Sequence, residues 1–325
     1  MKLGCKKISI VLSIYLVFSL PLPLLAAITG EIIYRHPLNH NELWIGNIND
    51  ARSGRLIFKL PHIVRRFSIQ KDGRYIVTVV EITDNTHEFA SFHDVYLLDR
   101  KNPNTAPKRL TQGQYREIID AAISPNKDVV FTNHSFEKRP GVYLIPSHEI
   151  EKKNPEAKLI QQQNAYHVDW LTHRNEIVYN TDTSVFQYNI LTKQITLIAK
   201  DGNFPVSTPN SKRIAFLTKT KPYNIGIVSV VGHRNLHYIE ELEKGLGISH
   251  LTWSSDGSYL VYTLFRHDPA YTNFAIHLDS GRTERILNTY SNGGLYLFEW
   301  ASRRYSVEPT DKLTTVWGKI KRKND

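Results

Sequence analysis

The chain is nearly without cysteine. Its one cysteine, Cys5, lies near the start, ahead of an apolar run. Nothing downstream can form a disulfide or supply a thiol nucleophile. A domain built this way is stable through its core alone, which about 300 residues permit. Long apolar runs are equally scarce: Ile8 to Leu20 is followed by no second stretch of membrane-spanning length. Catalytic signatures are missing too. There is no G-x-S-x-G elbow, and "GIVSVVG" and "GLGIS" do not match one. There is no H-E-x-x-H, no C-x-x-C and no EF-hand loop. These absences leave no catalytic residue and no cofactor to assign.

What is present begins with a leader. Lys2, Lys6 and Lys7 precede the apolar run, and Pro21, Pro23, Ala26 and Ala27 follow it. Residues 1–27 therefore read as a secretory signal peptide, cut after Ala26 or Ala27. The short, Pro-interrupted apolar core favours cleavage over retention as an anchor. Cys5 lies before that core, not where a lipoprotein acylation cysteine sits. The expected location is periplasmic or secreted. Formal net charge is +10; without the three leader lysines, 38 basic residues face 31 acidic ones, or +7. A basic exported chain suits an anionic lipid surface, an acidic polysaccharide, an acidic partner or, most plainly, a solvated surface with no special target. No nucleic-acid signature accompanies the charge.

The segment Leu251–Leu264, "LTWSSDGSYLVYTL", sets the architecture. Apolar residues alternate up to Trp253 and resume after Tyr259, which is strand-like on both sides. Ser254-Ser255-Asp256-Gly257 suits a type I turn with Gly257 at positive φ. The pattern of an anchor, a polar turn and an apolar residue seven positions on recurs six times. The pairs are Ile69 and Ile76, Ile123 and Val130, Trp170 and Ile177, Ser207 and Ile214, Trp253 and Leu260, and Trp300 and Val307. Anchors 37 to 54 residues apart mean stacked repeats, and four-stranded propeller blades are the usual all-β case.

Each interval has room for two further strands, such as "DVYLLDR" and "APKRLTQ" after the first hairpin. The two ends of the chain complement each other. "GEIIYRH", "ELWIGNI" and "GRLIFKL" are three strands without a first one; "LYLFEW" is a first strand whose own blade runs out of chain. Joining them closes a ring and removes exposed sheet edges. The expectation is an all-β, six-bladed propeller over residues 28–310, followed by a C-terminal strand and basic tail, 311–325. The segment "YIEELEKGL" also admits a short helix.

"PVSTPNSKRIAFLT" and "LTWSSDGSYLVYTL" resemble the P-x-W-S-P-D-G-K-x-I-A-F hairpin of TolB-type propellers, also called WD40-like or PD40 repeats. The resemblance implies a six-bladed periplasmic propeller. Only Asp256-Gly257 and Asp72-Gly73 keep the Asp-Gly pair. The α/β domain that precedes the propeller in TolB has no counterpart here. Prolyl-peptidase-like proteins carry a similar propeller plus a hydrolase domain, for which no residues remain. "SSDGS" is not a sialidase Asp box, whose Asp and Gly are separated by one residue. The end "DKLTTVWGKIK" resembles that of some exported TolB-like propellers.

First strands of propeller blades line a central channel. Two residues before the anchors stand Phe67, Ala121, Val168, Pro205, Leu251 and Phe298, all apolar. Three before stand Arg66, Asp120, His167, Phe204, His250 and Leu297, four of them polar. Arg66, Asp120, His167 and His250 are the candidate binding residues at the channel mouth. Arg66 suits an anion, and Asp120 with His167 suits a hydrogen-bonded pair. Two histidines and an aspartate also suit a metal. The plainer reading, which the sequence favours, is a solvated channel whose polar walls bond water.

The expected function is a monomeric, non-enzymatic binding module for another envelope or extracellular protein, or for a cell-surface ligand. Contact would come from the channel face and the loops "EITDNTHEFASFHD" and "HSFEKRPG". The alternative is a metal-dependent lyase or hydrolase acting on acidic oligosaccharides, as some TolB-like propeller lyases do. No stable membrane span and no nucleic acid are expected. In "LTTVWGKI" the reading is an extra strand that packs Trp317, over an exposed hook for a partner.

Overall fold

The computed structural model describes residues 28, 30–83, 91–135, 138–219, 223–233, 236–239, 247–265, 271–286 and 295–301. Residues 1–27, residues 84–90 within "EITDNTHEFASFHD", residues 240–246 within "YIEELEKGL" and residues 302–325 lie outside them. So do Val307 and Trp317.

Six four-stranded antiparallel sheets form a β-propeller. In chain order, the inner strands of blades 1 to 5 are Ile63–Ile69, Ile118–Ile123, Val168–Leu171, Gly202–Ser207 and Gly247–Trp253. Blade 6 is composite. Its inner strand is Phe298–Trp300, followed outward by Glu31–Arg35, Glu42–Asn47 and Asp50–Lys59. Ile32 pairs with Trp300 and Tyr34 with Phe298, so the two chain ends complete one sheet. A single helical turn, Ser147–Ile150, is the described helix. No helix among the described residues is long and apolar enough to cross a membrane.

The anchors end the inner strands because each hairpin reverses there. Gly257 donates its N–H to the Ser254 carbonyl at 2.8 Å with φ +74°, the turn that Asp256-Gly257 implies. Asp256 Oδ1 accepts from the Ser254 hydroxyl and from the Ser258 N–H and hydroxyl, which fixes the turn's polar side. Ser211 takes the same left-handed position, φ +52°, in "STPNSK". One register differs from expectation. Ile123 pairs with Val129, not Val130. The Ser124–Asp128 connection is one residue tighter, with Lys127 at φ +72°.

The blades are held by what lies between them. Six apolar clusters fill the six interfaces around the ring. In blade 6 the strand alternation is direct: Ile32 packs with Val261 of blade 5, and its neighbour Ile33 packs with Val64 and Phe67 of blade 1. Both isoleucines are fully buried. The residues two before each anchor are buried, as blade-to-blade packing requires.

Candidate functional site

The inner strands surround a cavity of about 630 Å3. Its wall includes Arg66, Asp120, His167 and His250, the four candidates from sequence, together with Phe204 and Leu297 at the same level. It runs from there along the strands to the hairpin turns at Asp72, His173 and Asp256.

Strand irregularities aim these side chains. Pairing shifts between Val64 and Arg66, between Ile118 and Asp120, and between Ile248 and His250. Each bulge places the polar residue just beyond the slipped pair, where it turns toward the channel. In blade 4 the shift between Asn203 and Val206 contains Phe204, at φ +49°, and Pro205, which has no N–H for the ladder.

Two groups of contacts follow. On one side, Asp120 Oδ2 lies 3.3 Å from His167 Nδ1, and Asp120 Oδ1 accepts the Ala121 N–H at 2.9 Å. The His167 ring stacks on Phe204 with centroids 3.8 Å apart. The Arg66 guanidinium stands over the other partner of that stack, 5.3 Å from the Phe204 centroid. Arg66 and Phe204 come from blades 1 and 4, opposite one another in the ring. Burial pushes the His167 imidazole down despite its Asp120 partner, and Arg66 adds to the effect. His167 is therefore a neutral ring at pH 7.

On the other side, His250 Nε2 donates to the Phe298 carbonyl at 2.8 Å. Burial first, then Arg66, push His250 down to about 3. Glu299 accepts from the Thr252 hydroxyl through Oε2 at 2.5 Å. Its Oε1 is 3.6 Å from His250 Nε2, whose proton is already spent on Phe298. Burial pushes the Glu299 carboxyl up to about 8; Asp169 and Asp120 add to the rise, while the Thr252 bond and Arg66 oppose it. A neutral histidine beside a largely protonated carboxyl is not an ion pair at pH 7.

Asp169, Thr252 and Glu299 stand one residue before their anchors and are not among the candidates that the sequence marks. They share a strand face with the residues three before, being two positions away. The available signal was a carboxylate between two core residues, in "VDW" and "FEW". Asp169 accepts from the Ser207 N–H and hydroxyl at 2.6 and 2.7 Å and from the Trp170 N–H at 2.7 Å. Burial still raises its pKa. Among the described residues no serine or threonine hydroxyl hydrogen-bonds either channel histidine, and no three His, Asp or Glu side chains are placed to hold a metal ion.

TolB from Acinetobacter baumannii matches this structure with a TM-score of 0.65 at 13% identity, over 84% of this chain and 67% of that one. The fold is that of the TolB propellers. A putative TolB from Agrobacterium tumefaciens matches with a TM-score of 0.57 at 16% identity, over 80% of this chain and 88% of that one. A puromycin-hydrolyzing peptidase from Mycobacterium tuberculosis matches with a TM-score of 0.56 at 12% identity, covering 80% of this chain but 44% of the peptidase. The TolB-like fold is thus found in structures of differing activity, and at these identities the likeness concerns the fold alone. No protein-family model matches the sequence, and no curated protein does.

Proposed function

We propose that this protein is an exported, non-enzymatic binding module. It presents a rigid propeller face and its channel to another envelope protein or a cell-surface ligand. One observation carries the reading: four blades send Arg66, Asp120, His167 and His250 to one level of a single cavity, and among the described residues no nucleophile is bonded to either histidine. Ring closure makes that level rigid, since every blade is packed on both sides. Periplasmic or secreted location rests on the leader-like residues 1–27 and on the TolB-type hairpins. The unit is residues 28–310, a monomer, with 311–325 as its tail. The lyase or hydrolase alternative needs a metal-ligand set, and no observation at this site favours one.

Affinity capture tests it. The full chain, as processed on export from its source organism, serves as bait against envelope extract. The Arg66→Glu/His250→Ala double variant is the control. The expected result is one stoichiometric partner, lost in the variant. Equal recovery by both baits, or turnover abolished by Asp120→Ala or His167→Ala, would overturn the proposal.

A further inference from the structure

Glu299 is a poorly satisfied carboxyl group in the channel. Its Oε2 is occupied by Thr252, but Oε1 receives no hydrogen bond from any described residue, since His250 Nε2 is beyond bonding distance and committed elsewhere. The side chain is one quarter exposed, and Glu299 lies in the cavity wall. A second acceptor in the same wall is also unused. Gln70 is 3% exposed; its Nε2 donates to the Ser124 and Pro125 carbonyls, which leaves Oε1 without a partner. Buried acceptors without donors are uncommon in folded proteins, so Gln70 Oε1 asks for an explanation, while Glu299 Oε1 is reachable from the cavity.

The charge balance has the same sense. Five carboxyl groups, Asp72, Asp120, Asp169, Asp256 and Glu299, share the cavity wall with two cations, Arg66 and Lys71. The two histidines are held neutral. A ligand that brings hydrogen-bond donors and one positive charge answers both deficits. A primary ammonium carries three donors and no acceptor. A metal ion would need several converging ligands, which the described residues do not provide.

We propose that the channel cavity binds a primary ammonium group, with its N–H donors directed to Glu299 Oε1. The proposal deepens the binding-module reading and rests on it. The ammonium can come from a small free amine or from a lysine side chain. Asp169 and Asp120 add attraction through space, Arg66 opposes, and His250 and His167 are uncharged; Asp72, Asp256 and Lys71 stand farther off, at the hairpin-turn end of the same cavity. Binding to the carboxylate form displaces the proton that Glu299 holds at neutral pH.

Calorimetry on the purified protein decides the matter, with butylammonium and Nα-acetyl-lysine amide as probes and tetramethylammonium, which has no N–H donor, as control. Both probes stay cationic over the range used. The expected result is binding about tenfold tighter at pH 9 than at pH 7, with release of about one proton at pH 7, read from two buffers of different ionisation enthalpy. Glu299→Gln should weaken binding at least about tenfold at pH 9. Binding of both probes assigns a free amine as sufficient; binding of the acetyl-lysine amide alone assigns a lysine side chain. Failure of both probes, equal binding of tetramethylammonium, or wild-type binding without proton release overturns the proposal. The proton count needs no variant, so a misfolded Glu299→Gln protein does not block the test. Partner capture that succeeds while both amines fail would sink the ammonium and keep the module.

Discussion

Replacing Glu299 by glutamine is expected to make the protein more stable than wild type as the pH rises. The folded carboxyl is held up to about 8 by burial, whereas the unfolded one titrates near 4.5. Between those values the folded state keeps a proton that the unfolded state has released. Wild-type stability therefore declines through this window, by about 1.4 kcal/mol per pH unit at most. The glutamine keeps a neutral group of the same size, and its carbonyl still accepts from Thr252. From pH 5 to pH 8 the variant should gain about 3 kcal/mol on wild type. Asp169, pushed in the same direction, is present in both proteins and cancels. So do His167 and His250, whose lowered pKa values remove stability only as the pH falls below 6.5. Urea unfolding midpoints at pH 5 and pH 8 measure the difference. Parallel pH curves for the two proteins would mean that Glu299 is ionised in the fold.

The second large effect concerns ring closure. Phe298 is 1% exposed, sits on the three-residue strand that begins the composite blade, and packs with Ile32, Tyr34 and Val261. Its carbonyl also receives the His250 proton. Phe298→Ala should cost about 3–5 kcal/mol through lost burial and the cavity it leaves. The loss should be local first. Weakening the contacts that join Phe298–Trp300 to Glu31–Arg35 opens the composite blade, so limited proteolysis should cut between residues 31 and 59 before any other blade. A comparable substitution inside one hairpin, Leu260→Ala, should lower stability without selecting that segment. Cleavage spread evenly over the chain in Phe298→Ala would contradict closure by the two ends.

The fold was readable because its signals are local. Asp-Gly at 256–257 and 72–73 dictates a turn, and an apolar residue seven positions after the anchor dictates a return strand. Closure was readable from arithmetic: three strands without a first one, and a first strand without followers. Both are met by the pairing of Ile32 with Trp300. The site was legible only in part. Arg66, Asp120, His167 and His250 interrupt apolar strands and so stand out. The bulges before Arg66, Asp120 and His250 did not, because a slipped register arises from packing of whole blades and leaves no mark in the strand's own residues. Nor did the weight of Glu299. "FEW" at the chain's last inner strand shows a carboxylate beside a tryptophan anchor. Its environment comes from Thr252 and His250 of the preceding blade and Asp169 across the ring, residues 47 to 130 positions away.

The claim on which the channel chemistry depends is that Glu299 holds a proton at neutral pH. A carbon-detected NMR titration of side-chain-labelled glutamate, with the Glu299 resonance assigned by its loss in Glu299→Gln, measures this directly. The account predicts a midpoint near 8 in the free protein, moving down when butylammonium is added. A midpoint below 5, unmoved by the amine, would contradict it.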